Sequence, residues 1–110
     1  MLLGCASRPD ERGHLSWEPD ARQASSAVSS AADYAEERLA VNKSKLADME
    51  TKTAGMFRNG RRVIHVEFYD PATFPDWERT AGVLGGFPNY FTVTVDAESQ
   101  QVVRHYASRE

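Results

Sequence analysis

The chain lacks most of what announces a chemical function. It has one cysteine, Cys5, among 110 residues, so no internal disulfide can form. Its three histidines, His14, His65 and His105, have no metal-ligand spacing, and Cys5 lies too far from them to complete a site. No Gly-x-Ser-x-Gly, Walker or Rossmann pattern occurs. The glycine-rich run 82–86 is neither fed by a strand nor followed by a helix, which argues against a phosphate cradle. Basic residues are not in excess: 13 Lys and Arg stand against 16 Asp and Glu, for a net charge of −3. Without a basic stripe, a nucleic-acid partner is not expected. These absences lead to a non-enzymatic chain with no catalytic residues, no metal and no cofactor.

What is present suits an ordinary small domain, with 41% hydrophobic and 26% charged residues. At this length a single domain is the default, with a modest core. The stretch most firmly legible is 85–107. From Tyr90 to Asp96 the residues alternate, with Phe91, Val93 and Val95 on one side and Tyr90, Thr92, Thr94 and Asp96 on the other. That is the period of a strand with one buried face. Residues 96–100 supply a turn in which Asp96 can bond back to the backbone, and Ser99 or Gln100 must take the left-handed position that glycine usually fills. Residues 101–107 return as a second, more polar strand suited to a sheet edge.

Upstream, an apolar stripe at intervals of three and four runs through Val28, Ala32, Ala35, Leu39, Leu46, Met49, Thr53 and Met56. Glu36, Glu37, Lys43, Lys45, Asp48 and Lys52 occupy the opposite face, as in an amphipathic helix. Asn42 interrupts the stripe. A helix over 30–57 would be about 42 Å long at about 1.5 Å per residue, whereas a seven-residue strand spans about 23 Å. Either the helix bends near Asn42, or it overhangs the sheet and pairs with a second copy around Leu39, Asn42, Leu46 and Met49. Asn59-Gly60 is read as the helix end, and 61–69 as the first strand, with Ile64, Val66 and Phe68 on its core face. The connection 71–86 is long and aromatic.

The expected architecture is therefore α+β: one long N-terminal amphipathic helix packed on a three-stranded antiparallel meander. Residues 24–110 form the single domain, and 1–23, polar and without periodicity, form a flexible tether. The segment YFTVTVDAESQQVV at 90–103, with the helix-then-sheet order, resembles PepSY domains and the wider cystatin-like group. Ser99 and Gln100 stand where that pattern has Thr and Gly. The resemblance implies a fold shared by many secreted binding and inhibitory modules.

Leu2-Leu3-Gly4-Cys5 resembles the lipobox of bacterial lipoproteins, without the basic region and most of the apolar region that precede it in that family. The resemblance implies lipidation at Cys5 and a periplasmic domain anchored to the outer membrane, touching membrane only through its lipid. If the match is chance, Cys5 is a free thiol and the chain is cytoplasmic. Phe74, Trp77, Arg79, Phe87 and Tyr90 lie in or beside the long connection and are the residue types that anchor protein interfaces; the alternative is a lid over the core. Two functions are expected from these features. The first is an immunity-type inhibitory module that occludes a partner protein through those five residues. The second is a lipoprotein that self-associates through its helix. A catalytic role for His65 and Glu67 would need His105 close by.

Overall fold

The computed structural model describes residues 8–9, 15–73 and 87–107. Among these residues six strands form one antiparallel sheet in sequential order: β1 (Arg8–Pro9), β2 (Leu15–Trp17), β3 (Glu50–Arg58), β4 (Arg61–Tyr69), β5 (Tyr90–Asp96) and β6 (Val102–Tyr106). Two helices, α1 (Ala21–Arg38) and α2 (Lys43–Ala47), lie between β2 and β3. The long helix on a three-stranded meander is thus corrected. Its second half is β3, and the sheet has twice the expected number of strands.

The reason lies at Asn59-Gly60. Both residues have positive φ, 53° and 78°, and Arg58 pairs with Arg61 across them. This is the two-residue hairpin connection that Asn-Gly favours, because its twist matches that of the flanking strands. A hairpin needs a strand before it as well as after it. Thr51, Thr53 and Phe57 suit such a strand, and Met49, Thr53 and Met56 fall at helical spacing by coincidence. Gly55 marks where β2 joins. It pairs with Trp17, and a Cβ on it would stand 2.1 Å from the Trp17 carbonyl oxygen.

Helix α1 starts earlier than the Ser/Ala run implies. Asp20 caps it: its side chain accepts from the Gln23 N–H at 2.8 Å, while the Gln23 side chain accepts from the Asp20 N–H at 2.9 Å. Residues 15–23, assigned to the tether from sequence, thus hold β2, the cap and the first turn of α1. The helix ends at Arg38, where Ala40 at φ 61° turns the chain and the Leu39 and Val41 N–H groups both donate to the Ala35 carbonyl. Eighteen residues make a helix about 27 Å long, close to the roughly 30 Å of a nine-residue strand. The helix fits its sheet without overhang.

The core lies between α1 and one sheet face. Ala27, Ala31 and Ala35 are fully buried against Ile64, Val66 and Phe68 of β4 and Phe91, Val93 and Val95 of β5. Three alanines at intervals of four allow close approach of helix to sheet, while Val28, Ala32 and Leu39 flank the contact. Phe68 and Phe91, paired in register, stack with centroids 4.7 Å apart. Losing a ring of this kind from a core costs about 3–5 kcal/mol.

Asn42, Leu46 and Met49 do not continue one helical face with Leu39. Leu39 is the C-cap of α1 and Asn42 caps α2, accepting from the Lys45 N–H at 2.8 Å; Leu46 and Met49 belong to the packed layer. Lys45 then ties α2 to the sheet. Its ammonium pairs with Asp70 at 2.7 Å, beyond the end of β4, and donates to Asn89 ahead of β5.

Candidate binding face of the sheet

The face of the sheet opposite α1 is built by strand alternation. On β4 the residues Val63, His65, Glu67 and Tyr69 point away from the core, and on β5 Tyr90, Thr92, Thr94 and Asp96 do the same. The register sets them in rows. Ala54, His65, Thr94 and Arg104 form one row across β3 to β6, and Lys52, Glu67, Thr92 and Tyr106 the next. Thr92 and Thr94, the short outward residues of β5, lie between Arg104 and Tyr106 of β6 and, across β4, Met56 and Arg58 of β3, which makes a trough.

The trough holds a cavity of about 500 Å³. Thr92, Thr94 and Val63 form its floor, Met56 and Arg58 one wall, and Arg104 and Tyr106 the other. The walls stand on strands three spacings apart, about 14 Å at about 4.8 Å per spacing. Met56 and Tyr106 are 45% and 37% exposed, two of the most exposed large apolar side chains among the described residues.

All four outward residues of β5 are buried, and three of them, Tyr90, Thr94 and Asp96, meet a polar side chain from β4. The Tyr90 hydroxyl donates to Glu67 at 2.9 Å. Burial foremost, then that bond, raises its pKa above the ordinary phenol value. His65 Nδ1 lies 3.1 Å from the Thr94 hydroxyl. Burial, opposed by Glu67 and reinforced by Arg104, lowers the His65 pKa, so the ring is neutral at neutral pH. Asp96 accepts from Arg61 at 2.6 and 3.1 Å. That bond, followed by the Ser99 N–H, holds its carboxyl well below the usual range.

The two histidines do not meet. His105 pairs with Val93 and turns toward the helix, where the Tyr34 hydroxyl lies 2.8 Å from its Nδ1; His65 is on the other face. An irregularity between Thr94 and Val95 also pairs Val102 with Val95, so Val102 joins the core instead of sharing a side with Arg104 and Tyr106. No group of three or more His, Cys, Asp or Glu among the described residues could hold a metal ion.

Of the interface residues expected from sequence, Phe74, Trp77 and Arg79 lie outside the described residues, as does Cys5. Phe87 and Tyr90 are placed, on opposite sides of the sheet. Phe87 meets Phe91 edge to face at 5.7 Å and lines a second cavity of about 350 Å³ with Leu39, Val41 and Lys45. Tyr90 belongs to the outer face. Of the residues that build the trough, Met56 falls on the helical stripe of the sequence, and Arg58, Arg104 and Tyr106 carry no functional mark there, because the wall from β3 appears only once that strand is paired with β4. The outward Thr92–Thr94 pair flanked by long residues was the available signal.

No protein-family model, curated protein or solved structure matches the chain. No helix among the described residues is long and apolar enough to cross a membrane.

Proposed function

We propose that this chain is a non-enzymatic binding module that occludes a partner protein with the sheet face opposite α1, in the manner of an immunity protein. The observation that carries the reading is the trough. It sets the exposed Met56 and Tyr106 beside Arg58 and Arg104 over a floor of buried threonines, and Met, Tyr and Arg are enriched in protein interfaces. On this face Glu67 accepts from Tyr90, Asp96 is paired with Arg61, and His65 lies within hydrogen-bond distance of the Thr94 hydroxyl.

The cell envelope is the compartment this reading adopts, with a lipid on Cys5 as the anchor and a PepSY-like or cystatin-like ancestry for the final hairpin. Detergent-phase partitioning of the expressed chain, lost in Cys5→Ser, is the expected result for the anchor; equal partitioning of both forms contradicts it.

The binding face is tested by affinity capture from envelope extracts with wild type and Thr94→Trp, in which an indole fills the floor. The reading expects one partner held by the wild type and lost by the folded variant. A partner held equally by both overturns the assignment of this face.

A further inference from the structure

The geometry points to an acidic protein segment, a Glu or Asp side chain next to an apolar one, as what the trough receives. This deepens the reading above and rests on it. Among the described residues neither Arg58 nor Arg104 makes an ion pair or hydrogen bond, although both line the cavity. Of the β4 and β5 carboxylates on the face, one is neutralised by a cation and the other lies outside the cavity lining. Asp96 is gripped by Arg61, and Glu67 accepts from Tyr90. Both guanidinium groups are therefore available to an anion from outside the chain. Guanidinium is the side chain best shaped to take a carboxylate through two parallel N–H bonds.

The rest of the lining fixes the neighbour of that carboxylate. Met56 and Tyr106 offer apolar contact on opposite walls, and Val63 lies beneath them. The Thr92 and Thr94 floor and the neutral His65 ring carry no charge that would oppose an acidic group. A cavity of about 500 Å³ accommodates a pair of side chains. The acidic residue and its apolar neighbour enter side by side, with the guanidinium groups reaching the carboxylate from the walls.

The test uses two capped dipeptides, acetyl-Phe-Glu-amide and acetyl-Phe-Gln-amide, titrated into the isotope-labelled chain while backbone amide resonances are followed. The proposal expects saturable shifts at Thr92, Thr94, Arg104 and Tyr106 with the Glu peptide. The Gln peptide should bind at least about tenfold more weakly, as for loss of a charge-assisted pair. In the Arg58→Ala/Arg104→Ala double variant the two peptides should become equal, and Arg58→Lys/Arg104→Lys should restore part of the preference. Both arginines are exposed, so the variants keep the fold, which the dispersion of the same spectra verifies. Absence of shifts at the trough overturns the proposal. So does equal binding of the two peptides to the wild type, or an undiminished preference in the Ala variant. If the peptides fail while Thr94→Trp still releases the captured partner, the face stands as the binding surface and only its acidic occupant falls.

Discussion

Asp96 grips Arg61 with both carboxylate oxygens: Oδ2 accepts from Nε at 2.6 Å and Oδ1 from Nη2 at 3.1 Å. Oδ1 also accepts from the Glu98 and Ser99 N–H groups at 2.9 and 3.0 Å. One side chain thus joins the start of β4, the end of β5 and the turn into β6. Its pKa is lowered in the fold, chiefly by Arg61. The charged form is therefore worth more in the native state than in the unfolded one. That stability is fully present above the unfolded value of about 3.9 and is lost as pH falls from there through the folded value. Asp96→Asn should lower the urea midpoint at neutral pH and flatten its fall on acidification. A variant whose midpoint follows the wild-type pH curve contradicts this role.

His65 acts in a separate window. Its folded pKa lies below the unfolded value of about 6.5, so on acidification the unfolded chain takes up the proton first. Stability then declines as pH falls below about 6.5 and levels off beneath the folded pKa. Equilibrium unfolding of His65→Gln, which keeps a partner for Thr94, should show no such decline before the carboxylates begin to titrate. An identical decline in both proteins would assign it elsewhere.

Gly55 holds β2 against the sheet by having no side chain. A Cβ there meets the Trp17 carbonyl oxygen at 2.1 Å and Pro19 Cδ at 3.0 Å. The Trp17 indole N–H, which donates to the Met56 carbonyl at 2.9 Å and the Val63 carbonyl at 3.2 Å, moves with that strand. Gly55→Ala should cost on the order of 1–3 kcal/mol and should speed hydrogen exchange at that indole. Unchanged indole protection would mean that β2 is not seated on Gly55.

Ala40 is exposed and held at φ 61° past the end of α1. Left-handed backbone strains any residue with a Cβ by about 1–2 kcal/mol, and glycine's extra unfolded-state freedom returns part of that. Ala40→Gly should therefore raise the thermal midpoint, by a net stabilisation of about 0.5–1 kcal/mol. A lower midpoint would show that the methyl group contributes packing that outweighs the strain.

The hairpin of β5 and β6 was legible because alternation from Tyr90 to Asp96 is unbroken, and Gln100, at φ 63°, does take the left-handed position. β4 was legible for the same reason. β3 was not. Its helix-facing side carries Thr51, Thr53, Gly55 and Phe57, too weakly apolar to show period two, and Met49 and Met56 completed a helical spacing instead. Asn59-Gly60 held the deciding information, since one dipeptide serves both as a helix stop and as a hairpin turn. Asp20 and Gln23 likewise spell a cap, overshadowed by the Ser/Ala run after them. The trough lay further out of reach, because its walls come from strands whose neighbours follow only from correct pairing.

The most direct test of the outer face as the binding surface is site-specific photocrosslinking in cells. A photoreactive residue is placed at Thr94, on the floor of the trough, or at Glu37, exposed on α1. The account predicts a discrete protein adduct from position 94 and none from position 37. An adduct from 37 with none from 94 would place the partner on the helix and contradict it.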